Sequence, residues 1–246
     1  MKILVIGGAG RVARWTVPHL RRNHDVTTFD RVGPADVIGD AMAPDEVADV
    51  MAGMDAVVDL AVVVPRGDAM RDPDTLRAAW AVNVGSWWVA LEQGRLAGVR
   101  RFVYGSTMSV HARFGAEPMP DPSAPFPSPR DASADEPSAE EAEPPTPDAT
   151  MPYPFSKRVG EAAGQLYAAQ FGLHVTALRL AFPTTDEAAP LWIRPATGEP
   201  SQVVRPDGVV MPAAPAALIA ESIERALTFD GEFQVDHVAA PGTPWA

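Results

Sequence analysis

Apolar and polar positions alternate in short blocks along the chain. Residues 2–8, "KILVIGG", form a branched apolar run that stops at glycines, the pattern of a strand buried on both faces. A helix is predicted from Gly10 to about Arg22, then a strand over 24–30 ("HDVTTFD") and a short third strand over 35–40 ("ADVIGD"). "PDEVADVMAG" (44–53) begins with proline and acids and stops at glycine, so it reads as a helix. "MDAVVDLAVVV" (54–64) predicts a fourth strand, 74–97 a long helix, and "RRFVYGSTMSV" (100–110) a fifth strand. A helix over 153–171, a strand over 173–182, a helix over 215–229 and a strand over 232–238 complete the pattern. Strands alternating with helices require a parallel sheet covered on both faces, an α/β doubly wound architecture. Neither an internal repeat nor a second-domain boundary interrupts it. The expected organisation is one domain over 1–246, with a small substrate-binding cap at about 183–246.

Composition changes this picture at one place. Residues 113–150 hold 10 of the 26 prolines, and from 115 to 150 nine acids stand against one arginine. Proline lacks an N–H, so regular structure is not expected there. The segment reads as a solvated surface insertion or, because it leaves the fifth strand and returns at Tyr153, as a lid. Elsewhere composition mainly excludes. Hydrophobic residues make up 46%, enough for a sizeable core. The absence of cysteine removes disulfides, thiolate metal sites and a cysteine nucleophile. No metal-ligand spacing and no G-x-S-x-G elbow occurs. No run approaches the roughly 18 apolar residues of a membrane span, and no secretory leader is recognisable. The net charge of −12 offers no nucleic-acid surface. These features predict a cytoplasmic protein without nucleic-acid, membrane or metal partners, acting on a small-molecule substrate.

Two short patterns carry chemistry. "IGGAGRVAR" (6–14) follows the first strand and opens a helix, with Gly7, Gly10 and Ala13 in a G-x-x-G-x-x-A frame. Such a turn lets the backbone and the helix N-terminus approach a pyrophosphate. Asp30 stands 20 residues past Gly10, at the end of the second strand, where a carboxylate accepts from both ribose hydroxyls. A carboxylate there repels a 2′-phosphate and favours NAD; Arg31 and Arg11, able to reach such a phosphate, leave NADP open. The second pattern is Tyr153 and Lys157, one of three tyrosines and one of two lysines. Four residues apart on a helix, they share a face. An adjacent ammonium favours the phenolate and draws a phenol of pKa ~10 toward neutrality, and a lysine can also bond a ribose hydroxyl.

With these residues in place, the chain resembles the extended short-chain dehydrogenase/reductases of the NAD-dependent epimerase/dehydratase family. The resemblance covers about residues 1–183 and implies a Rossmann-type sheet. It implies Tyr153, Lys157 and Thr107 as the catalytic set, Thr107 lying in "RFVYGSTMSVHA" after Ser106. For the cofactor it implies Gly7, Gly10, Arg11 and Val12; Asp30 and Arg31; Asp40 and Ala41 near the adenine; Leu60, Ala61 and Val62 from "DLAVVV"; and Asn83 from the long helix. Ala181, Phe182 and Pro183 in "LRLAFP" would lie along the nicotinamide. Ser109, His111 and Arg194 are candidates for substrate contact, Arg194 through its capacity to hold a carboxylate. Trp87 and Trp88 lie on a helix that often packs between subunits in this family, so a homodimer is expected.

Departures narrow the chemistry. Ala13 stands where a third glycine is usual, and His111–Ala112 where Tyr–Gly is common. Met108 and Ser109 occupy the positions at which nucleotide-sugar dehydratases carry an Asp–Glu pair, which argues against dehydration. Only about 60 residues follow the sixth strand, a compact layout more like that of uronate dehydrogenase than of enzymes gripping a nucleotide sugar. The expected activity is reversible hydride transfer between a nicotinamide and a hydroxyl-bearing carbon of a small polar substrate, a sugar or sugar acid among them. An epimerase that retains its NAD and a non-catalytic dinucleotide sensor are the alternatives.

Overall fold

The computed structural model describes residues 1–65, 67–110, 152–204, 210–211 and 213–240; His111 and the 113–150 insertion lie outside them. Period-two alternation within strands builds two cores. In β1 (Lys2–Ile6), Ile3 and Val5 face one layer and Leu4 and Ile6 the other. The first layer is formed by α1 (Arg11–Leu20), through Ala13, Val17 and Leu20, and by α5 (Ala216–Leu227), through Ile219 and Ile223. The opposite layer is formed by α2 (Pro44–Met51), α3 (Pro73–Leu96) and α4 (Pro152–Phe171), with Val47, Met51, Trp87, Leu91 and Ala168 against the sheet.

The remaining long strands are β2 (Asp25–Asp30), β4 (Ala56–Asp59), β5 (Arg101–Thr107), β6 (His174–Leu180) and β11 (Phe233–Val238), with a two-residue β3 (Val37–Ile38) at one edge. All pair in parallel in the order β11-β6-β5-β4-β1-β2-β3. Strand order reverses at β1, so a crevice opens above the carboxyl ends of β1 and β4, the place where such sheets bind ligands. The Rossmann-type expectation is met.

Several boundaries differ from the pattern reading, each for a local reason. β4 ends at Asp59, because its carboxylate takes the Ala61 N–H at 2.8 Å and turns the chain out of the ladder. Val62 and Val63 are therefore exposed loop residues. β5 ends at Thr107 and passes into a 3-10 turn, Met108–Val110. Between β6 and α5 stand two miniature pairs, β7 (Trp192–Ile193) with β8 (Pro200–Ser201), and β9 (Val203–Val204) with β10 (Val210–Met211). Strands of two residues leave no periodicity to read.

Candidate active site

The turn after β1 is held against the end of β4. Gly7 has φ 80°, and a β-carbon there would stand 2.5 Å from the Ala61 nitrogen, so both its backbone angle and its surroundings require glycine. Its N–H and that of Gly8 donate to the Phe29 carbonyl, while Gly10 N–H returns to the Gly7 carbonyl. Gly10 opens α1 without a side-chain cap. At the end of β2, Asp30 accepts from Ala9 N–H at 3.0 Å, so the acid and the glycine turn hold each other.

These elements open into one cavity of about 920 Å³. It is lined by Gly7, Gly10, Arg11, Val12, Asp30, Arg31, Asp40, Ala41, Leu60, Ala61 and Val62 on one side. Thr107, Ser109, Tyr153, Lys157, Phe182, Pro183 and Arg194 line the other. Asn83 and Ala181 stand behind this wall. The Asn83 amide accepts from Val63 N–H (2.7 Å) and donates to the Val63 carbonyl (2.9 Å) and the Ser156 hydroxyl (3.2 Å). It thus ties the loop after β4 to the start of α4. Ala181 is fixed by backbone bonds to Val238 and Ala214.

The proton-handling end is built by β5 and α4. The Ser106 hydroxyl donates to Glu161 at 2.6 Å and is committed there. The Thr107 hydroxyl lies 2.9 Å from that of Ser109, beside the cavity. Both residues line the cavity, Ser106 bonded to Glu161 and Thr107 to Ser109, whose N–H it also accepts at 3.2 Å. On α4, Tyr153 is half-buried, whereas Lys157 is only 2% exposed, with its Nζ 4.6 Å from the Tyr104 ring centroid. The ammonium makes no hydrogen bond among the described residues, so its donors are available to a ribose and a phenol. Burial pulls its pKa down to about 8, opposed by the charges of Asp59 and Glu161. Asp59 is itself buried, which raises its pKa to about 6 against the pull of Lys157 and the Ala61 N–H.

One turn beyond Lys157, Glu161 is gripped by Arg179 at 2.8 and 2.7 Å and by Arg158 at 2.9 Å. Burial raises its carboxyl, but the Arg179 and Ser106 bonds outweigh this and hold it below the ordinary range. This network pins α4 to β5 and β6. At the far wall, Phe182 has φ 46°, a left-handed conformation uncommon outside glycine, and its ring meets Trp192 edge-on at 5.7 Å. Trp192, Val63 and Val64 also line the cavity and were not singled out from the sequence. The first stands two residues from Arg194 in "LWIRP", and the valines follow "DLAV". Among the described residues no group of acids and histidines forms a metal site. No described helix is long and apolar enough to cross a membrane.

A glycine turn, an acid at β2 and a lysine with open donors form a setting that fits a dinucleotide. Comparison with known proteins agrees. The NAD-dependent epimerase/dehydratase family model matches residues 3–183. L-arabinose 1-dehydrogenase (NAD(P)(+)) of Haloferax volcanii is 33% identical over 189 residues, 76% of this chain and 68% of that one. Among solved structures, Thermus thermophilus UDP-glucose 4-epimerase in complex with NAD superposes with a TM-score of 0.66 at 20% identity, over 98% of this chain and 78% of that one. A mutated uronate dehydrogenase superposes with a TM-score of 0.67 at 20% identity, over 99% and 76%. At such identities these structures speak for the fold alone. The family match and the arabinose dehydrogenase relative go further: this chain belongs to the NAD-dependent epimerase/dehydratase family and is an NAD(P)-linked oxidoreductase-type enzyme.

Proposed function

We propose that the chain oxidises a hydroxyl of a small sugar or sugar acid, a free aldose first among them, with NAD as hydride acceptor, and also runs the reverse reduction. The observation that carries this reading is the convergence of Tyr153, Lys157 and Thr107 on the same cavity as the Gly7–Gly10 turn and Asp30. The nicotinamide, when bound, accepts or returns the hydride. Tyr153 as phenolate takes the hydroxyl proton during oxidation and gives it back during reduction. Lys157 favours the phenolate by its charge and bonds the ribose. Thr107 orients the substrate oxygen. Gly7, Gly10, Arg11 and Val12 would hold the pyrophosphate, Asp30 the ribose, and Phe182 and Pro183 the nicotinamide.

The choice of substrate leans on the arabinose dehydrogenase relative. Much of the 183–246 stretch joins the main sheet and its helical layer as α5 and β11. The decisive assay offers aldoses, including L-arabinose, and uronic acids with NAD and NADP, and follows absorbance of the reduced cofactor. Stoichiometric reduced cofactor is expected, with NAD preferred. Product without net cofactor reduction, from protein that retains its NAD, would instead establish the epimerase reading. Turnover surviving Tyr153→Phe would remove Tyr153 from the mechanism, whereas a loss of about 10²–10⁴-fold with NAD binding intact is expected and would eliminate the sensor reading. A homodimer and a cytoplasmic setting complete the proposal, the latter in keeping with a chain free of cysteine.

A further inference from the structure

We propose that Asp59 is a positioning residue for the reaction: its buried carboxylate keeps the Lys157 ammonium charged beside Tyr153, while one of its oxygens fixes the Ala61 turn against the cofactor. The inference rests on reading Tyr153 and Lys157 as the proton-handling pair. It starts from an acid whose structural task, turning the chain out of β4, does not require a charge. β4 reads Ala56, Val57, Val58, Asp59, and all four are buried, Asp59 to 1% exposure. One carboxylate oxygen takes the Ala61 N–H at 2.8 Å. The other, Oδ2, is buried and has no hydrogen-bond partner among the described residues. An amide or a hydroxyl would end the strand equally well without carrying a charge into the core.

Geometry gives the charge its object. Asp59 is the register partner of Tyr104 on β5, and both lie on the sheet face covered by α3 and α4. The Tyr104 ring is the surface over which the Lys157 Nζ stands. Each element packed there contributes groups to the lysine's surroundings. From α4 come Tyr153 and Glu161, the latter already neutralised by Arg158 and by Arg179 of β6. From β5 come Tyr104, whose hydroxyl is buried and without a partner among the described residues, and Ser106, bonded to Glu161. From α3 come Asn83 and Trp87, both uncharged. Among the described residues, Asp59 is thus the carboxylate acting on Lys157 that no guanidinium offsets. Burial works to strip the proton from Lys157, and Asp59 opposes it. With Asp59 titrating near 6 and Lys157 near 8, both are charged across neutral pH. Without the carboxylate, the lysine discharges within that range and Tyr153 loses the field that favours its phenolate.

The test exploits the presence of two lysines, Lys2 and Lys157. Isotope-labelled lysine gives two side-chain NMR signals, so the buried one is titrated directly in the intact protein without substrate. A Lys157 midpoint near 8 is expected, falling by about one pH unit or more in Asp59→Asn. In kinetics, Asp59→Asn should lower kcat/KM for oxidation at neutral pH by about tenfold or more and move the rising limb of the profile to higher pH. KM for NAD should change by less than about threefold, because the amide oxygen still accepts from Ala61. A Lys157 midpoint that does not move, or a uniform activity loss with an unshifted profile, would overturn the proposal and reduce Asp59 to a turn former. If Asp59→Asn does not fold, the native protein decides: a lysine titrating at its ordinary 10.5 refutes the coupling, and one titrating near 8 with a second inflection near 6 supports it. A shifted midpoint without turnover on any sugar would leave this coupling standing while the substrate reading fails.

Discussion

At the scale of single residues, the site places function ahead of stability. Asp59 and Lys157 are both held away from their ordinary charge equilibria by burial. A carboxyl raised from 3.8 to about 6 costs the fold stability as pH climbs through that window, because the unfolded chain ionises first. A lysine lowered from 10.5 to about 8 costs stability while charged, and that cost is relieved as pH rises from about 8 to 10.5. The charged pair is therefore most expensive between about 6 and 8, where the enzyme is expected to work. Replacing both groups by uncharged ones of similar shape, Asp59→Asn with Lys157→Met, should raise unfolding free energy by about 1–4 kcal/mol near neutral pH while abolishing turnover. The gain should shrink toward about pH 10, and urea unfolding at the two pH values reads it. A double variant less stable than the native protein would show that the pair stabilises the fold. Only half of this pair could be read from the sequence. Tyr153 and Lys157 stand four apart on one helix, so their relation is local and visible. Asp59 lies inside the apolar run "AVVDLAVVV", and its partner is 98 positions away, a relation that only the packing of α4 on β5, the neighbour of β4, creates.

At the scale of elements, the position of α4 decides whether the catalytic pair reaches the cavity. Two features seat it. The Glu161 network ties its middle to β5 and β6. Gly160, on the same turn, lets the helix settle onto Tyr104, whose hydroxyl would overlap any β-carbon at 160. On the far side of that ring Trp87 stacks at 4.7 Å, and its indole N–H donates to the Gly160 carbonyl at 2.9 Å, so Tyr104 has little room to retreat. Gly160→Ala, usually mildly favourable inside a helix, should here destabilise by about 1–3 kcal/mol through overpacking. It should also lower kcat more than it raises KM for NAD, because Lys157 is displaced while the glycine turn of β1 is not. Tyr104→Phe should recover part of the loss by removing the nearest clashing atom. Denaturation and steady-state kinetics on the single and double variants check this; a neutral Gly160→Ala would mean that α4 shifts without consequence. The helix itself is plain in the sequence, because it is twenty residues long. Why it carries glycine at 160 is not, since the constraint comes from a strand more than fifty residues earlier. The β7–β10 pairs were unreadable for the opposite reason, being too short to show any period.

At the scale of the whole molecule, seven parallel strands and helices on both faces followed directly from the alternating blocks, because long buried strands and long helices write strong patterns. What the pattern could not convey is how the outer surface is used. The outer side of the α3–α4 layer exposes Trp88 (51%), Leu96 (62%), Leu166 (61%) and Phe171 (37%). Of the two adjacent tryptophans expected at a subunit contact, Trp87 is wholly buried against the sheet while Trp88 faces outward. Around the exposed tryptophan the seam between the helices is ordered: Tyr167 donates to Glu92 at 3.3 Å, and Arg95 pairs with Glu92 and stands over the Phe171 ring at 4.6 Å. Large aromatics and an arginine set in a rigid two-helix face have the composition of an interface centre, and a second copy applying the same face would close as a two-fold dimer. Sedimentation of the native protein is therefore expected to give a dimer. Trp88→Glu with Phe171→Glu should give a monomer that still binds NAD, since neither residue lines the cavity. The same face also carries Glu92, close to the introduced acids, so the charge repulsion across the two-fold axis should dominate over any new pairing and be partly screened by salt. A native monomer, or a dimer indifferent to both substitutions, would place the association elsewhere. Because α3 also carries Asn83, whose amide holds the loop after β4 and the start of α4, a dimer through this face would stiffen the helices that position the catalytic pair. Monomeric variants should accordingly lose some kcat at unchanged cofactor affinity.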